Sequence, residues 1–168
     1  MRRYGVVLAL AVMSFAVWAM SAAAISSPKV FNLLDVASNV EQPIGGYTFE
    51  QPPVGGDQFA INDILYKWAG TKKGVRVGRV QGIGTFQTGF GANFTRPATV
   101  MFVVQAYLPG GTVVLQGYGH VNPGGPSQFT FPVVGGTGVY ANVRGYVKTR
   151  DLGNGDTNNT NVEFHLLP

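Results

Sequence analysis

Beyond residue 24 the chain alternates apolar and polar positions with a period of two, in runs broken by Gly, Pro and Asn. A period of two places side chains on one face of a β-strand. No long stretch repeats at the helical i, i+3, i+4 spacing, so the pattern predicts an all-β domain. Eight strands are expected: Lys29–Ser38, Gln58–Trp68, Val75–Gln87, Thr99–Leu108, Thr112–Val121, Gln128–Val134, Tyr140–Arg150 and Asn161–Leu167. Their links are short, as at Pro109-Gly110-Gly111 and Asn122–Pro126, which favours antiparallel neighbours. A meander of eight strands that closes on itself has no free edge. The predicted fold class is therefore an eight-stranded antiparallel β-barrel. Val40–Gly56, with Pro43, Pro52 and Pro53, reads as the one long loop, either a lid or a linker.

The first 24 residues change the picture of where the domain begins. Arg2 and Arg3 precede an apolar run, Val6–Met20, and Ala22-Ala23-Ala24 supplies the small residues of a cleavage site. These are the parts of a secretory signal peptide. The run is short for an uncleaved membrane anchor, which needs roughly 20 residues. The reading is a leader at 1–24, one barrel domain at 25–168, and a secreted protein, extracellular or periplasmic. Without Arg2 and Arg3 the chain keeps 10 Lys/Arg against 8 Asp/Glu, too even a balance to argue for nucleic acid. Lys67, Lys72, Lys73, Arg76 and Arg79 do cluster, as a solvated hairpin or a patch for an acidic partner. No cysteine is present, which excludes disulfides, thiolate metal sites and cysteine catalysis. Two histidines do not make a His-rich metal site. No metal and no cofactor is expected. The sequons at Asn93 and Asn158 matter only in a eukaryotic secretory pathway.

Alternation also singles out residues that can carry chemistry. Phe31, Leu33, Asp35 and Ala37 share one face, and so do Phe59, Ile61, Asp63 and Leu65. Each set places one carboxylate among apolar neighbours, where ionisation is costly. Such a group is an acid, base or charge stabiliser, or else a carboxylate tied to backbone near a strand end. Val75, Val77, Arg79, Gln81 and Ile83 share a third face. Arg79 is therefore expected to enter the same interior and pair with Asp63 or Asp35, in catalysis or as a structural ion pair. On the next two strands Gln105 and Tyr107, then Tyr118 and His120, mix rings with hydrogen-bonding groups. That mixture suits a pocket for an organic ligand and equally a wet outer surface. Arg144 and Tyr146 lie on a face with Lys148 and Arg150 that reads as solvated, although Arg144 follows a glycine turn closely enough to reach a barrel mouth. The candidate set is Asp63, Arg79 and Asp35 for catalysis, with Gln81, Gln105, Tyr107, Tyr118, Arg144 and Tyr146 for ligand contact. G-x-S-x-G, H-E-x-x-H and Walker motifs are absent. Asp151–Asn159 is a polar turn without the spaced acids of a calcium loop.

Several segments then resemble one family, in order. Gly56-Asp57-Gln58-Phe59, Asn62-Asp63-Ile64-Leu65, Val77-Gly78-Arg79-Val80-Gln81-Gly82, Phe131–Tyr140 with its GGTG turn, and Val143-Arg144-Gly145-Tyr146 resemble motifs of dirigent proteins and of the allene oxide cyclase barrel superfamily. The resemblance implies an eight-stranded barrel, often trimeric, around a hydrophobic cavity. It implies binding of a hydrophobic small molecule or reactive intermediate whose cyclisation or stereoselective coupling the cavity guides. For radical coupling it implies a separate oxidase as partner. Val139 stands where some dirigent subfamilies carry an acid after GGTG, and the leader is bacterial in style, so a bacterial relative is the placement. The rival reading is a non-catalytic, lipocalin-like binding or structural barrel. A homo-oligomer, dimer or trimer, is expected under the first reading.

Overall fold

The computed structural model describes residues 25–37, 42–46, 48, 50–69, 72–123, 127–152 and 159–168. The leader, Asn158 and most of the polar turn after Asp151 lie outside the described residues. Among the described residues nine strands form one antiparallel sheet: β1 (Lys29–Ala37), β2 (Gln42–Ile44), β3 (Gln58–Ala69), β4 (Lys72–Thr88), β5 (Ala98–Leu108), β6 (Gly111–Val121), β7 (Gln128–Gly136), β8 (Arg144–Asp151) and β9 (Asn159–Leu167). Neighbours follow in sequence from β3 to β9, β9 pairs with β1, and β1 pairs with β3. Those pairings close an eight-stranded barrel. The short β2 sits outside the closure, paired only to Gln58–Ala60 of β3. The segment expected as one long loop thus contributes a strand. Its later part is strapped to β4, where Gly56 N donates to Phe86 O (2.7 Å) and Phe86 N to Asp57 O (2.9 Å).

One face of each strand fills the barrel. Phe102, Val104, Ala106 and Leu108 of β5 are buried, as are Val113 and Leu115 of β6, Val147 of β8, and Val162, Phe164 and Leu166 of β9. Phe31 stacks on Phe164 (centroids 4.8 Å, 9° between planes). Burying side chains of this size contributes about 1.5–3 kcal/mol each.

β4 departs from the expected parity. Its pairing with β3 slips between Leu65 and Trp68, where Leu65 faces Gly78 and Tyr66 faces Arg76. The extra residue, Val77, is a bulge, and a bulge of one residue exchanges the two faces of the strand beyond it. Val80, Gly84 and Phe86 therefore point inward, and Arg79 and Ile83 are exposed outside. The space for this face is made by glycine: a Cβ at Gly84 would overlap the Phe59 ring.

β7 ends in the GGTG turn at what we call the lower rim, where β1 begins. Gly138 adopts φ +60, and a Cβ there would overlap Gly110 O. Thr137 N donates to Thr112 O (2.9 Å) and Val139 N to Gly110 O (2.9 Å). The turn is locked onto the β5–β6 turn. A short 3-10 turn, Gly138–Tyr140, follows, and β8 begins only at Arg144 rather than at Tyr140.

Candidate active site

Strand β1 carries Asp35 and β3 carries Asp63 to the inner wall near the upper rim. Asp35 lies opposite Leu65 and Ala37 opposite Asp63, so the two aspartates are diagonal neighbours on one face. That relation sets their Cα atoms roughly 7 Å apart. On its other side Asp35 faces Thr160 of β9, which faces Asp151 of β8. Thr149, two residues before Asp151, lies opposite the buried Val162. Strands β3, β1, β9 and β8 thus line one wall with Asp63, Asp35, Thr160, Asp151 and Thr149.

The facing wall is aromatic. Phe102 of β5 has Phe131 at 5.3 Å, Phe129 at 5.4 Å and Phe59 at 6.2 Å, and Phe59 has Phe86 at 5.5 Å. Gly119 of β6 lies under the Phe129 ring, and Gly84 lies under Phe59. The rings occupy the volume that side chains at these glycines would take.

Electrostatics set Asp35 apart. Its Oδ1 is sealed from solvent and has no hydrogen-bond partner, and the same holds for Thr149 Oγ1. Burial pushes the Asp35 carboxyl well above the usual carboxylate range, and the nearby Asp63 charge pushes it further. The protonated form of such a carboxyl donates a hydrogen bond, whereas an ionised aspartate only accepts. Thr149 was not among the residues singled out from sequence. Its signal was the Val147, Thr149 alternation behind the charged face of β8.

The other sequence candidates lie elsewhere. Arg79 does not enter the interior; it sits outside over the Tyr107 ring (4.6 Å), because the Val77 bulge exchanged the faces. Gln81, Gln105 and Tyr107 share that outer face: Gln81 Nε2 donates to Asn62 Oδ1 (3.4 Å), and Tyr107 OH donates to Gln105 Oε1 (2.9 Å). Tyr118 is 64% exposed, and His120 meets Thr99 Oγ1 at 3.2 Å, also outside. Their strands turn the aliphatic face inward, so the mixed face is the wet one. Arg144 is exposed at the lower rim and does not reach into the barrel. Tyr146 stacks outside on His165 (4.4 Å, 18°), which bonds Glu163. Of the nine candidates the structure brings only Asp35 and Asp63 together inside. Among the described residues no group of three or more His, Cys, Asp or Glu is arranged to hold a metal.

A family model described as dirigent-like protein matches residues 34–167. The chain belongs to the dirigent-like family. Among solved structures, this dirigent-like barrel is similar to a pyocyanin demethylase, at 21% identity and TM-score 0.59, over 82% of this chain and 99% of that one. It is similar to the pterocarpan synthase dirigent protein GePTS1, at 18% identity and TM-score 0.58, over 83% and 87%. It is also similar to the Diels Alderase AbmU from Streptomyces koyangensis, at 17% identity and TM-score 0.58, over 100% and 83%. At such identities the likeness carries the fold. No curated protein matches the sequence.

Proposed function

We propose that this dirigent-like barrel holds an apolar small molecule or reactive intermediate between its aromatic and polar walls and guides its cyclisation or stereoselective coupling. One observation carries the reading: Asp35 Oδ1 is buried without a partner on the inner wall, and Thr149 Oγ1, on the same wall across β9, is in the same state. Leaving such groups unpaired costs about 1–3 kcal/mol each, a cost that a ligand hydroxyl or carbonyl would remove. A neutral Asp35 would donate to a ligand carbonyl and draw electron density from a conjugated partner. The phenylalanines would fix the geometry of the reacting ends, the main lever of proximity catalysis. Structural neighbours named as a Diels Alderase and as a pterocarpan synthase dirigent protein support a guiding role. Cyclisation by cycloaddition needs no outside reactant. Coupling of phenoxy radicals needs a one-electron oxidant, so a separate oxidase would be the partner in that case. The leader read at 1–24 would deliver the barrel outside the cytoplasm. Outer apolar residues Ile83, Val103 and Tyr118 suit a homo-oligomer.

The test compares product ratios. Two probes are offered to the purified protein: a tethered diene–dienophile, and 4-propenylphenol radicals made by a one-electron oxidant. Chiral chromatography reads the product excess. The wild type should bias at least one ratio, Asp35→Asn should lose the bias while staying folded by circular dichroism, and Arg79→Leu on the outer wall should keep it. Recovery of bound ligand unchanged, with no bias in either reaction, would assign the barrel to passive binding instead.

A further inference from the structure

The barrel wall has a seam. β1 pairs with β3 only from Leu33, opposite Lys67, up to Ala37, while β1 continues down to Lys29 against β9 alone. Below Leu33 the two strands part, because the irregular pairing at Leu65–Trp68 turns β3 toward β4. The gap is an open pocket of about 390 Å³ bounded by Phe31, Leu33, Lys67, Trp68, Leu108 and Tyr140. This is within the size range of small-molecule sites. Its surface is mostly apolar; its polar lining residues are Asn32, Lys67 and Tyr140, whose hydroxyl donates to Pro109 O at 3.4 Å.

Charge on the molecule is polarised along the barrel axis. At the lower rim, around this seam, stand Lys29, Lys67, Lys73, Arg76 and Arg144, all exposed. One acid stands close to it: Glu163 faces the pocket-lining Asn32 across the β1–β9 pairing and is bonded to His165. At the upper end lie Asp35, Asp57, Asp63 and Asp151, with Arg96 and Arg150 as their cations. A pocket in a rim where cations outnumber acids concentrates anions and speeds their capture.

We infer that the seam pocket is a second binding site, taking an amphiphilic organic anion with its apolar body against Phe31, Trp68 and Leu108 and its acidic group at Lys67. The site is distinct from the Asp35 wall and stands without the guiding function.

Two dyes of one shape test it: 1-anilinonaphthalene-8-sulfonate, an anion, and N-phenyl-1-naphthylamine, its uncharged relative. Trp68 lines the pocket, and the only other tryptophan is Trp18 in the leader, so energy transfer from Trp68 reports dye on the barrel, and Lys67→Gln assigns it to the pocket. The sulfonate should bind about fivefold more tightly than the neutral dye, as one exposed ion pair allows, and the difference should shrink in high salt. Lys67→Gln should remove the difference, Trp68→Phe should remove the transfer signal, and Asp35→Asn should leave both unchanged. Equal affinities for the two dyes, or a difference that survives Lys67→Gln, would overturn the assignment. Loss of product bias in Asp35→Asn with this binding intact would separate the two sites.

Discussion

Phe102 is the sharpest probe of how the interior is built. It is 8% exposed and meets three other rings at 5.3, 5.4 and 6.2 Å. Truncation to alanine removes the ring and leaves a hole, which together cost about 3–5 kcal/mol. The site belongs in the upper half of that range because its surroundings cannot collapse. Gly84 and Gly119 back the neighbouring rings, so no side chain there can swing inward. Their strands are pinned on both sides by the barrel ladder. A loss of about 4–5 kcal/mol follows, or roughly 10–15 °C in the melting midpoint for a domain of this size. Urea unfolding of Phe102→Ala, with an unchanged slope, measures it. Phe102→Leu keeps a branched apolar body and should lose about 1–2 kcal/mol. Benzene should restore part of the loss in the alanine variant, since a dry cavity among apolar walls accepts it. A cost below about 2 kcal/mol for Phe102→Ala would refute the packed aromatic wall on which the proposed site leans.

Two further outcomes are expected. Asp35 titrates above its unfolded value, near 3.9, so it costs the folded state nothing below that pH and progressively more as pH rises through the folded value. Asp35→Asn should therefore match the wild type in acid and gain stability over it from about pH 4 upward; urea midpoints across pH that differ by a constant would contradict this. Gly138→Ala places a Cβ on Gly110 O at a positive φ and should cost about 1–3 kcal/mol in thermal unfolding, whereas an unchanged midpoint would mean that the GGTG turn is not locked.

The barrel itself was legible because period-two alternation survives wherever a strand is regular. β5, β6 and β9 carry their bulkiest apolar residues at one parity, and the structure buries that parity, whereas β1 buries both Leu33 and Leu34. Arg79 was misplaced because a bulge adds a residue without altering composition. The slip was nonetheless written in β4: Val75 and Val77 are odd, whereas Val80 and Phe86 are even. The bulky residue far from the turn should have fixed the phase. Gln105, Tyr107 and Tyr118 were ambiguous for a different reason. An aromatic ring with a hydroxyl fits a pocket wall and a solvated sheet face equally well, and only the neighbouring strand's phase decides between them.

The pairing of Asp35 with Asp63 was legible only as two separate oddities, each a carboxylate on an apolar face. What joins them is the closure of the barrel, since β1 meets β3 across the seam while β2 is left outside. The same closure sorts the interior into two walls. β4 to β7 supply Phe86, Phe102, Phe129 and Phe131, and the strands on either side of the seam supply the acids and threonines. A ladder of this kind fixes which residues face each other but does not fill the hydrogen-bonding capacity of what it brings inside. Asp35 Oδ1 and Thr149 Oγ1 remain unpaired after every backbone bond of their strands is made. Folding alone gains nothing from keeping them. Apolar residues of the same volume would stabilise the wall at a lower desolvation cost. On the wall that faces the aromatic cluster, that unmet capacity is what the proposed ligand would fill.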